Sequence, residues 1–248
     1  MRIFALTSSA YLLFFIVSGL EAQTPSSGRA STGKRLFHSP AVGQNGLSCS
    51  NCHANFDETK KSDGRIRAGH SLYNSARRET WWGKDPEAED HFPNIAAAAV
   101  VCVVHYMRNP EKLTAQQLLD LQRYLESIPR RPVASPQFIA PSADKTGRYD
   151  GYSRGNKFKG RNLFYDACSS CHPNGNRGIA PALPRDKEPA FYAKKIREGD
   201  GLGAVLSGLD PDAYSFASGM FMPFFGSDQL TKEQIRDIIA YVKSLPPN

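Results

Sequence analysis

The chain has 248 residues, 40% hydrophobic and 22% charged, and its 31 Lys and Arg against 24 Asp and Glu give a formal net charge of +7. That is enough for one large domain or two small ones, and the 20 glycines and 17 prolines follow no repeat, which excludes collagen-like and wholly disordered architectures. The moderate basic excess favours acidic partners or small anions by long-range steering, and it equally serves solubility.

Residues 1–22 read as a secretory signal. Arg2 gives the positive start, an apolar stretch runs over 3–20, and Leu20-Glu21-Ala22 offers a cleavage site before Gln23. The rival is a retained membrane anchor, but Thr7, Ser8, Ser9, Ser18 and Gly19 dilute the stretch, and its length is marginal for a span. Cleavage removes Arg2 and Glu21, so the mature charge stays at +7. The expected location is the periplasm or another exported compartment, with membrane association only if the segment is retained.

Residues 23–30 are a polar tether. A first domain is expected over 31–129. Ser31 or Thr32 caps a short helix carrying Gly33-Lys34-Arg35-Leu36-Phe37, and a loop leads to Cys49-Ser50-Asn51-Cys52-His53. A polar run follows, then Gly69-His70-Ser71-Leu72, the pair Arg77-Arg78, Trp81-Trp82 and an apolar helix over 95–104. The last helix has a capping box, Thr114 with Gln117, and an apolar face of Leu118, Leu121, Leu125 and Ile128. Residues 130–154 read as a linker that includes Pro132, Pro136 and Pro141.

The second domain, 155–248, repeats the first. Gly160-Arg161-Asn162-Leu163-Phe164 matches 33–37, Cys168-Ser169-Ser170-Cys171-His172 matches 49–53, and Ala180-Pro181-Ala182-Leu183 matches 69–72. Leu230-Thr231-Lys232-Glu233-Gln234-Ile235 matches 113–118 with the same Thr-x-x-Gln cap, and Tyr124 and Tyr241 fall at the same place in the two last helices. An internal duplication follows.

Each Cys-x-x-Cys-His unit has the attachment spacing of c-type haem. Two thiols one helical turn apart add to the two vinyl groups of a porphyrin, and the adjacent histidine binds the iron. A single unit would also suit zinc or a redox dithiol; two units behind an export signal point to two covalently attached haem c groups. The fifth cysteine, Cys102, is left over. No phosphate-binding loop, dinucleotide fingerprint, serine-hydrolase elbow or nucleic-acid motif is present.

Each half resembles a class I cytochrome c domain, which implies a mainly α fold of two tandem domains, each wrapped around one haem. In that family a Gly and an aromatic of the first helix cross the last helix at another aromatic; here these are Gly33, Phe37 and Tyr124, then Gly160, Phe164 and Tyr241. The resemblance implies His53 and His172 as proximal ligands. In Met222-Pro223 it implies Met222 as the second ligand of haem 2, with Met220 its neighbour. For haem 1 four residues remain open: His70, Cys102, His105 and Met107. The repeat sets His70 at the place of Pro181, in the family's proximal turn. Residues 102–109 resemble the ligand region of thiosulfate dehydrogenase-like di-haem cytochromes, where a Cys thiolate binds the catalytic iron with a Met a few residues later; the family's Arg shortly before that Cys is replaced by alanines 96–99.

These readings lead to an exported di-haem cytochrome passing electrons between redox protein partners, some of them acidic. The alternative is an oxidoreductase acting on thiosulfate or another small sulfur anion at haem 1 through Cys102. A peroxidase is a third reading, because 33–37 with the first motif is similar to di-haem peroxidases. The basic cluster Lys145, Arg148, Arg154, Lys157, Lys159 and Arg161 is either a docking face or a solvated surface.

Overall fold

A computed structural model describes residues 27–53, 64–69, 72, 75–77, 94–128, 143–176, 178–180, 182–199 and 222–246. The expected signal segment, His70, Trp81, Trp82, Arg78, Pro181 and Met220 lie outside these residues, as do 130–142 of the expected linker. Among the described residues the chain is helical: α1 Ala30–His38, α2 Cys49–Cys52, α3 Ile95–Val101, α4 Ala115–Ser127, α5 Lys157–Ala167, α6 Pro189–Glu198 and α7 Lys232–Ser244. No described helix is long and apolar enough to cross a membrane.

Two helix pairs form the frame: α1 packs on α4, and α5 packs on α7. The reason is the same in both. A side chain at Gly33 would collide with the Asp120 carbonyl oxygen, and one at Gly160 with that of Asp237. Only glycine lets the backbones approach this closely, and the approach brings the aromatic pairs together. Phe37 and Tyr124 meet with ring centroids 5.4 Å apart at 59°, and Phe164 and Tyr241 at 5.3 Å and 56°. Such tilted pairs add about 0.5–1.5 kcal/mol beyond their burial. Both partner helices open on the expected capping box, Thr114 with Gln117 and Thr231 with Gln234.

The starts of α1 and α5 were legible only in part. Arg29, not Ser31 or Thr32, occupies the cap position of α1, and it offers no side-chain cap. Its N–H donates instead to Asp120 Oδ1 at 2.6 Å, across the helix pair. The N–H of Asn156 donates in the same way to Asp237 Oδ1 at 2.6 Å. Both carboxylates are buried, and each ties the start of one helix to the middle of its partner. Gly28 and Gly155 complete the pattern, because a side chain on either would strike the carbonyl of Leu119 or Arg236.

Two apolar cores result. One gathers Phe37, Val42, Leu47, Val103, Met107, Leu121 and Tyr124; the other gathers Phe164, Tyr192, Ile196, Leu230, Ile235 and Ile238. Of the expected apolar face, Leu121 and Leu125 on α4 and Ile128 at its C-cap are buried, and Leu118 is half-buried against the same core. Residues 143–154, expected as the end of a linker, do more than tether. Tyr149 is 1% exposed and Tyr152 8%, and both belong to the second core. The Tyr149 hydroxyl donates to Glu198 Oε1 at 2.5 Å.

Candidate functional site

The second Cys-x-x-Cys-His unit begins where α5 ends, with Cys168 as its C-cap. The N–H groups of Cys171 and His172 both donate to the Cys168 carbonyl, at 3.1 and 3.0 Å, so the unit forms one closed turn. The N–H of Ala180 then donates to the Cys171 carbonyl at 3.1 Å. The turn opens on an apolar cavity of about 330 Å³ whose walls include Cys168, Cys171, His172, Tyr192, Met222 and Pro223.

Met222 is held on this wall from behind. α6 ends at Gly199, whose φ of 66° suits glycine, and a side chain there would lie 2.5 Å from the Met222 carbonyl. The N–H of Phe225 donates to the Ile196 carbonyl at 2.7 Å, and the buried Arg197 donates to the Phe225 carbonyl at 3.0 Å. The structure thus places His172 and Met222 on the walls of one cavity.

The first unit has the same local geometry. Cys49–Cys52 is a single helical turn, and the N–H of His53 donates to the Cys49 carbonyl at 2.9 Å. The N–H of Gly69 donates to the Cys52 carbonyl at 2.8 Å, matching the bond from Ala180 to Cys171. A side chain at Gly69 would lie 2.5 Å from His53 Nδ1. The chain at 69 therefore runs along the Nδ1–Cε1 edge of the His53 ring.

The side expected to be distal differs. α3 does not run on as an α-helix through 104; it passes into a π turn, Cys102–Tyr106, closed by the N–H of Met107 donating to the Cys102 carbonyl at 2.9 Å. Such turns occur frequently at functional sites. Two asparagines fasten this segment to the loop before the first unit: Asn45 donates to the Tyr106 carbonyl and Asn109 to the Val42 carbonyl, both at 2.9 Å. Met107 is buried, 4% exposed, with its Cβ packed on Gly43. Cys102 is half-buried and lies within electrostatic range of both Cys49 and Cys52. His105 sits in the π turn, and its side chain lies outside the described residues.

All five cysteines are unbridged. Burial pushes the thiols up, Cys49 to about 11 and Cys102 and Cys168 to about 12, with Cys52 and Cys171 raised as well. As free thiols they are neutral. This suits the addition of Cys49, Cys52, Cys168 and Cys171 to vinyl groups into a thioether that carries no charge, and it means that a thiolate at Cys102 would need a cation such as iron to hold it.

The two units face each other. Cys52 lies within electrostatic range of Cys171, and Asn51 and Cys52 help line the cavity that holds His172 and Met222. The chain crosses over between the halves. The Ile66 N–H donates to the Asp166 carbonyl at 2.9 Å, Gln229 donates to the Ala68 carbonyl at 2.6 Å, and Ile66 and Ala68 are buried in the second core. In return Cys171 and Ile179 pack against the first core. Within this crossing strap Arg67 is buried, 8% exposed, and its Nε donates to the Ser50 carbonyl inside the first unit at 2.8 Å. Sequence reasoning missed Arg67; the one local signal is the alternation Arg65-Ile66-Arg67-Ala68, with two apolar residues in an otherwise polar stretch.

Lys145, Arg148, Arg154, Lys157, Lys159 and Arg161 of the basic cluster are all exposed. Phe158 stands among these cations and is 76% exposed, with Lys157 Nζ 5.4 Å from its ring centroid.

Comparison with known proteins bears on the second half directly. A family model described as Cytochrome c matches residues 158–246. No curated protein matches the chain. Among solved structures the chain is similar to thiosulfate dehydrogenase (TsdBA) from Marichromatium purpuratum in its as-isolated form, at 14% identity and a TM-score of 0.35. That alignment covers 86% of this chain and 45% of the other, so the chain spans less than half the length of the protein it matches. The donor set and the apolar cavity fit the family's cofactor: two thiols on one turn, a histidine, and a methionine on the same cavity wall. Residues 158–246 are therefore a cytochrome c domain, which holds haem c covalently and transfers electrons through it.

Proposed function

We propose that the protein is an exported di-haem cytochrome in which both halves are cytochrome c domains and electrons pass between the two attachment sites. The observation that carries this reading is the juxtaposition of the two Cys-x-x-Cys-His units, with Cys52 and Cys171 lining one cavity, on matching helix pairs. When bound, haem c supplies reversible one-electron chemistry at iron. Cys49 and Cys52 would hold one group and Cys168 and Cys171 the other, with His53 and His172 as proximal ligands. The Met222 thioether, a neutral ligand, would favour ferrous iron and raise the potential of the second site. The apolar walls around it exclude water and so keep the reorganisation on electron transfer small. Electrons would run from the first site to the second and out to a partner, and the cations around Phe158 favour an acidic one.

A potentiometric titration tests this reading. Two one-electron steps are expected, and Met222→Ala should lower only the higher potential. A single step, or a Met222→Ala variant with unmoved potentials, would overturn it.

A second reading has one specific observation behind it: Cys102 opens a π turn within electrostatic range of Cys49 and Cys52. In that reading the Cys102 thiolate ligates the first iron, and a small sulfur anion is oxidised there. Electron paramagnetic resonance decides: a low-spin thiolate signal lost in Cys102→Ala supports it, and an identical spectrum in the variant removes it.

A further inference from the structure

The strap over 64–69 belongs to the first half in sequence and to the second half in packing. Ile66 and Ala68, both buried, sit in the second core and are fastened by the bonds to Asp166 and from Gln229. The residue between them, Arg67, turns the other way in an extended segment and donates to the Ser50 carbonyl inside the first unit. Its charge also reaches His38, making protonation of that ring harder. A guanidinium is always charged and presents several donors in a fixed fork. A fixed cation is therefore delivered to the first attachment turn by a segment anchored in the other half.

We propose that Arg67 is an electrostatic positioning residue for the first haem site: it fixes the Cys49–His53 turn through Ser50, and its buried charge raises that site's reduction potential towards the second site's. The inference rests on the di-haem reading. The physical reason is direct. Ferric haem carries one more positive charge than ferrous, so a nearby cation disfavours the oxidised form, and burial limits screening by salt. Because Ile66 and Ala68 are held in the second core, a shift between the halves would move Arg67 relative to Ser50, so the potential of one site depends on the docking of the other half.

The test is potentiometry of the full exported holoprotein with Arg67→Gln and Arg67→Lys. Glutamine keeps an amide donor for Ser50 and removes the charge; lysine keeps the charge and loses the fork. Arg67→Gln is expected to lower the first site's potential, changing its ferrous-to-ferric ratio at a fixed poise about tenfold, and to move the second site less. Arg67→Lys should stay close to wild type. If Arg67→Gln does not accumulate as folded haem protein, Arg67→Met, an apolar residue of similar length, is read in its place with the same expectation. Unmoved potentials in a folded two-haem variant overturn the inference alone, as does Arg67→Lys falling as far as Arg67→Gln. An intact mass showing a single haem on the wild type removes the di-haem reading, and this inference with it.

Discussion

The two halves share their helix pairs and differ on the side of the attachment turn where a second ligand would come. In both, a glycine, two aromatics, a capping box and a buried aspartate fix how the first helix crosses the last. Beyond that frame they part. The second half presents Met222 on a cavity wall, held by Gly199 and the bonds to α6. The first half presents a π turn with Cys102 at its start and the buried Met107 just after it, clasped by two asparagines. The difference teaches where constraint lies. The helix crossing recurs in both halves, while the wall opposite each Cys-x-x-Cys-His turn does not, and there the sequences diverge.

The comparison breaks most visibly if the frames are not equivalent. Phe164 is 0% exposed and Phe37 2%. Each Phe→Ala change should destabilise by about 3–5 kcal/mol, read by thermal or denaturant unfolding. A loss confined to Phe164→Ala would show that only the second half has a packed crossing. Gly33→Ala and Gly160→Ala force the helix pairs apart and should each cost about 1–3 kcal/mol. Gly199→Ala should combine a similar loss with a shift in the second site's potential, because that glycine backs onto Met222. Removing the caps with Thr114→Ala and Thr231→Ala should cost about 1 kcal/mol each.

The last prediction sharpens the distal difference. If Cys102 is not an iron ligand, its thiol is pushed up to about 12 from its ordinary value of 9.0. The folded state then keeps its proton where the unfolded chain loses it. The corresponding stability is present below pH 9 and is lost as pH rises from about 9 towards 12. Wild type should therefore lose more stability than Cys102→Ala over that alkaline range. Parallel curves would mark Cys102 as already ionised on iron.

Much of this was legible in the sequence because it is local. The Cys-x-x-Cys-His turns, the Thr-x-x-Gln boxes and the Gly-to-aromatic spacings each sit within a few residues, and the repeat supplied two readings of each. What escaped depends on distant partners. Asp120 and Asp237 look like ordinary helix-surface acids until Arg29 and Asn156 are brought beside them. Tyr149 and Tyr152 look like linker residues until the second core closes over them. The π turn leaves no mark in hydrophobic periodicity, because its change is one hydrogen bond reaching a residue further. Arg67 was invisible because its flanking residues pack in a different half from the one it grips.

The central claim is that one chain carries two attachment sites, both used. The most direct measurement is the intact mass of the exported protein under denaturing conditions, where thioether-bound haem is retained. The account predicts the processed chain plus two haems, and plus one when Cys49 and Cys52 are both replaced by serine. A wild-type mass with one haem, unchanged by that double replacement, would contradict it.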